Sequence, residues 1–285
     1  MTRTIKSIYA GEPVTEGAGV KLRRIFGYYE TGEFDPFLMF DDFSSDRPAN
    51  YLRGFPWHPH RGIETITYVI RGDVEHGDSL GNTGVIRGGD VQWMTAGSGI
   101  IHQEMPKGDA DGSMHGFQLW ANLPAGQKMT DPRYRALTAD MIPEAVLEDG
   151  TRVKVIAGQF GGMRGPMDDI AIQPEYLDCA VPSLRSFTHA VPREHTVFIY
   201  VIGGFGTVGE EKVAKGTLVL FDHGDSLAVG AGPAGIRFLL VSGKPLREPV
   251  AWRGPIVMNT PEELELAFRE YREGTFIKNS VSSSS

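Results

Sequence analysis

Short runs rich in β-branched and aromatic residues, each closed by glycine or proline, most restrict what this chain can fold into. They are ETITYVI from Glu64, GVIRGGDVQWM from Gly84, FQLWANL from Phe117, RVKVIAG from Arg152, HTVFIYVIGG from His195, GTLVLF from Gly216 and IRFLLVSG from Ile236. Runs this short suit strands better than helices, and 36 glycines and 18 prolines punctuate them. The pattern predicts an all-β sandwich or barrel rather than βαβ units.

The run starting at Glu64 is echoed by the one starting at His195, each followed by a Gly-rich turn and a strand pair. With 285 residues available, the echo predicts two related β-domains in tandem. Their join is expected between Asn122 and Glu144, where proline, glycine and charge replace strand patterning. A helix is expected after Thr260, an N-cap followed by Pro261 and by Glu263 three residues on. Leu264, Ala267, Phe268 and Tyr271 form its apolar stripe and Gly274 its stop. The terminal SVSSSS, residues 280–285, reads as a disordered end.

The formal charge of −8 and the lack of a basic block argue against direct binding of nucleic acid. No apolar run is long enough to span a bilayer, and the first residues lack the apolar core of a secretory signal. A cytoplasmic protein without membrane attachment is expected. The single cysteine, Cys179, agrees with a reducing compartment and reads as a small buried hydrophobe.

FPWHPHRGIET, from Phe55, carries the first chemical signal: His58 and His60 are one residue apart, so in an extended segment both imidazoles face one side. His102 and Glu104 repeat that spacing in TAGSGIIHQEMP. Two such pairs on neighbouring strands would offer three imidazoles and a carboxylate to one divalent first-row metal while leaving coordination positions open, as in non-haem iron oxygenases. A closed structural zinc site, which leans on thiolates, fits a one-cysteine chain poorly.

Other signals are weaker. GFGTVG, from Gly204, has dinucleotide-fingerprint spacing but leads into another strand instead of a helix. DDFSSD, from Asp41, reads as a solvated turn. His76 and His115 are candidates for surface, packing or metal-supporting roles. His195 stands without an H-x-H partner and His223 sits in a loop sequence. Trp57, Trp93, Phe43 and Met94 could wall a pocket for an aromatic ligand.

The spacing Gly54-x3-His58-x-His60-x3-Glu64-x7-Gly72 resembles the first cupin motif, and Gly89-x7-Gly97-x4-His102 the second. FDPFLMFDDF, PHRGIETITYVIRGDVEHGDSLGN, GGDVQWMTAGSGIIHQEMP, GFQLWANLP and GPIVMNTPEELELAFREY are similar to the pirin family over nearly the whole chain. The resemblance implies a bicupin of two antiparallel, jelly-roll-like β-barrels with a short C-terminal helix. Residues 1–134 would be the metal-binding cupin domain, and residues 135–285 a degenerate cupin domain with a helix near 261–273.

It also implies metal ligands at His58, His60, His102 and Glu104, with Glu64, a ligand in the wider cupin pattern, left as a buried residue. One ion per chain is expected, Fe(II) first, with Ni, Co, Mn, Cu or Zn as alternatives. The implied activity is that of quercetin 2,3-dioxygenases, which open a flavonol ring with O2 and release CO, with Glu104 as catalytic base or ligand. The alternative is a redox- or metal-sensing transcriptional co-regulator acting through a protein partner. A monomer is expected.

Overall fold

The computed structural model describes residues 1–278, so the terminal serine-rich run expected to be disordered lies outside the described residues. Every run singled out above is a strand: Ile63–Arg71, Thr83–Ile86 with Val91–Thr95, His115–Asn122, Arg152–Ala157, Thr196–Val208, Leu218–Phe221 and Ser226–Gly243. The described residues contain no helix long and apolar enough to cross a membrane.

The described residues form two compact units, one of 1–11, 34–36 and 140–246, the other of 12–33, 37–139 and the described residues from 247 on. Ile5–Tyr9 pairs with Leu218–Phe221, which takes the first residues into the unit made mainly of 140–246. The expected join also holds a strand, Arg133–Leu137, which pairs with Val91–Thr95 at a sheet edge. Its charged residues suit an edge, and they hid it from a search for apolar runs.

The unit made mainly of 140–246 is a nine-stranded antiparallel sheet. Val153, Leu177, Val197, Ile199, Phe238 and Leu240 pack in its core with Cys179. Burial pushes the Cys179 thiol well above its ordinary value, so it behaves as the hydrophobe expected. The GFGTVG segment ends the Thr196–Val208 strand and turns into Glu211–Ala214 with no helix after it.

The other unit pairs a seven-stranded with a four-stranded sheet. The four-stranded sheet orders Phe55–His60, Ile100–Lys107, Asp73–Asp78 and Thr83–Ile86. The helix Pro261–Glu273 begins with the expected capping box, Thr260 Oγ1 accepting from Glu263 N, and ends at left-handed Gly274. Leu264 and Ala267 pack with Ile256, Met258 and Phe276, and Ile101 of the Ile100–Lys107 strand lies against the same cluster. Arg61, almost wholly buried, joins this helix to the sheet by donating to Ser98 O, Glu270 Oε2 and Phe276 O.

Candidate metal centre

Alternation along strands builds the site. In the seven-stranded sheet Leu22 and Arg24, Met39 and Asp41, Gln118 and Trp120, and Thr67 line one cavity, joined by Phe43 just past the end of the Asp41 strand. Each set is spaced by two residues, as side chains of one sheet face must be. From the four-stranded sheet come His58 and His60, Val74, and Glu104 with Pro106. The cavity measures about 660 Å³, within the range of small-molecule sites.

His58 stands opposite His102 in the antiparallel register, and His60 opposite Ile100, so His60 and His102 are diagonal neighbours. Their Nε2 atoms converge: His58 to His60 is 3.0 Å and His58 to His102 is 2.9 Å. All three donors lie within 4.8 Å of one another. Two nitrogens about 2.1 Å from one ion and at right angles to each other would be separated by about 3.0 Å, so this spacing fits adjacent ligand positions.

The far side of two rings is fixed as a metal ligand requires. His58 Nδ1 donates to Pro56 O at 2.9 Å and His60 Nδ1 to Pro255 O at 3.0 Å, which leaves both Nε2 lone pairs facing the common point. Burial holds His60 and His102 well below the ordinary imidazole value. Repulsion from the neighbouring histidines adds to the effect, while the Pro255 carbonyl opposes it at His60. Neutral imidazoles are the ligand form. Gly62 lets the segment after Pro255 pass close to the His60 strand: its φ is +78°, and a Cβ there would lie 1.9 Å from Val257 O.

Glu104 faces the cavity but lies outside the 4.8 Å group. The register slips between His102 and Glu104, placing Glu104 opposite Phe55, on the far side of the His58–His102 pair from His60. Its Oε1 accepts from Thr67 Oγ1 at 2.8 Å, and Gln118 Nε2 lies 3.5 Å from its Oε2. Glu64 is elsewhere, accepting from Thr95 Oγ1 at 2.7 Å within the seven-stranded sheet, where burial raises its carboxyl above the ordinary value.

Of the other sequence candidates, His76 is buried beside the His102 ring, stacks on Tyr134 and reaches Asp78 Oδ2 at 3.3 Å. His115 pairs with Asp46 at 3.4 Å, and His223 is exposed. Among the four proposed wall residues only Phe43 lines the cavity; Trp93 and Met94 are buried outside its lining and Trp57 is 53% exposed. Asp41 corrects the reading of DDFSSD as a solvated turn. It is 3% exposed, lines the cavity and holds the Arg24 fork at 2.9 and 2.8 Å. Burial pushes its carboxyl up to about 6 against the pull of Arg24. The aromatic wall, Trp120, Trp252 and Tyr28, and the polar pair Thr67 and Gln118 were not singled out from sequence. The period-two pattern that includes Gln118 and Trp120 on one strand was the available signal.

The sequence matches the Pirin family model over residues 19–121 and the Pirin C-terminal cupin domain over 176–277. It is 43% identical to a pirin-like protein of Caulobacter vibrioides over 96% of this chain and 99% of that one. It is 39% identical to human pirin, over 90% of this chain and 88% of the other. Its structure resembles that of a quercetin 2,3-dioxygenase from Acinetobacter baumannii with a TM-score of 0.87 and 31% identity, covering 97% of this chain and 99% of that chain.

Proposed function

The chain belongs to the pirin family, and from that premise we propose that it is a metal-dependent oxygenase of the quercetin 2,3-dioxygenase type, acting on a flavonol-like substrate and O2. Likeness to the Acinetobacter enzyme supports the reaction type. The observation that carries the reading is the convergence of three Nε2 atoms on a cavity of small-molecule size that also holds a carboxylate.

His58, His60 and His102 would hold one divalent ion, Fe(II) in this reading, which supplies Lewis acidity toward a phenolic oxygen and one-electron chemistry. Trp120, Trp252 and Tyr28 offer flat faces to a planar ring system. Glu104 has two roles open to it: a fourth ligand after its side chain rotates, or a base accepting the substrate's 3-hydroxyl proton at a carboxylate oxygen. The base role agrees with its hydrogen bond from Thr67, which holds it off the histidine group, and is the one proposed.

The test compares metal-loaded wild type with His102→Ala on a flavonol and on a flavone lacking the 3-hydroxyl, following absorbance, oxygen uptake and carbon monoxide. Wild type should consume one O2 per flavonol opened and leave the flavone untouched, and the variant should be inactive. Turnover no faster than that of the free metal would remove the oxygenase reading and favour the co-regulator.

A further inference from the structure

A line of aromatic rings leaves the histidine cluster and reaches the surface. The ring of His60 meets Trp120 edge-on at 5.0 Å between centroids. Trp120 meets Trp252 at 5.9 Å, Trp252 meets Tyr28 at 5.6 Å, and Tyr28 meets Tyr29 at 5.5 Å. Each spacing is that of rings in contact. Exposure rises along the line, from 9% at Trp120 to 58% at Tyr28 and 91% at Tyr29.

Packing accounts for the buried end of this line but not for its exposed end, because a tyrosine as exposed as Tyr29 gains little from burial. The rings share a different property: indole and phenol give up one electron more readily than the other aromatic side chains. Trp252 donates its indole N–H to Gly254 O at 2.7 Å, which steadies the positive charge left by electron loss. Trp120 Nε1 has no acceptor among the described residues, so its oxidation would be electron loss without proton transfer. At the far end, Tyr29 can release its phenolic proton directly to water.

We infer that Trp120, Trp252, Tyr28 and Tyr29 form a one-electron conduit between the metal-binding histidines and solvent, through which oxidising equivalents arising at the site are discharged at the surface. It requires a metal at these histidines but not flavonol cleavage. With hydrogen peroxide as oxidant, two electrons are needed to form two waters. A ferrous ion held by these histidines would supply one, ending ferric. Trp120 supplies the other and is refilled in turn by Trp252, Tyr28 and Tyr29. Tyr29 ends as a neutral phenoxyl radical, and its proton, with one from solvent, completes the two waters.

The test loads the full chain with Fe(II) without oxygen, measures bound iron, adds equimolar hydrogen peroxide, and freezes samples for electron paramagnetic resonance while mapping oxidised residues by peptide mass spectrometry. Wild type should give a tyrosyl radical that is lost in a Tyr28→Phe/Tyr29→Phe double variant and in Trp252→Phe. In Trp252→Phe, oxidised mass should accumulate on Trp120 and His60 instead. Tyr29→Phe, at a surface position, guards against misfolding and should move the radical back to Tyr28 or Trp252. A loaded Trp252→Phe protein with an unchanged tyrosyl yield overturns the conduit, as does loss of the signal in the off-line variant Trp57→Phe. A wild type that holds no iron overturns both the metal assignment and the conduit; an iron-loaded one that gives no tyrosyl radical overturns the conduit alone.

Discussion

At the scale of single residues, two glutamates with the same chemistry occupy different surroundings. Glu104 faces the cavity and is hydrogen-bonded by Thr67, whereas Glu64 is buried against Thr95. Glu104→Gln preserves shape but removes the base, so turnover should fall by about 100-fold or more with metal retained. Glu64→Gln keeps an acceptor for Thr95 and should leave iron content near wild type. Elemental analysis beside oxygen uptake checks both, and loss of metal only in Glu64→Gln would mean that the cupin-wide ligand operates here. The histidine cluster was legible in the sequence because i, i+2 spacing on a strand is a local rule. The offset of Glu104 was not, since it comes from a register slip against Phe55–His60, a property of two strands together. Asp41 escaped for a similar reason: its acidic neighbours suggested solvent, while its partner Arg24 lies on another strand.

At the scale of elements, the helix Pro261–Glu273 was readable to within a residue because its cap, proline and stop are local signals. Its destination was not readable, because burial of Leu264 and Ala267 against Ile256, Met258 and Phe276 does not show which sheet the cluster covers. The helix supports the strand that carries His102 through Ile101, and Glu270 pairs with Arg61 next to His60. Thr260→Ala removes the side chain that accepts from Glu263 N and should cost about 1 kcal/mol of stability. Denaturant unfolding measures it, and a change within error would show that tertiary packing alone holds the first turn.

At the scale of the whole molecule, the strand runs correctly announced two β-rich units, but the exchange of terminal segments between them left no compositional mark. The unit made mainly of 140–246 has its own polar group: His195 Nδ1 lies 3.3 Å from Ser242 Oγ, Ser242 donates to Glu175, and His189 Nε2 lies 3.1 Å from the same carboxylate. His195 thus has neighbours that its sequence context did not disclose. The group is not among the clusters of potential metal donors found in the described residues. One metal per chain, held by His58, His60 and His102, is expected. His195→Ala should retain it and His58→Ala/His60→Ala should lose most of it, as equilibrium dialysis with elemental analysis would show. Full occupancy in the double variant would place the ion elsewhere.

The carbonyl that orients His60 belongs to Pro255, separated from it by 195 positions along the chain. Synthesis on the ribosome runs from the N-terminus, so strands bearing all three imidazoles emerge long before that carbonyl exists. During this interval His60 lacks the partner that sets its tautomer, and Gly62 and Arg61 lack the segment they pack against. The nascent chain consequently carries its donors without the partner of His60 until translation has passed Pro255, so the full cation-binding geometry waits on the segment that holds that carbonyl.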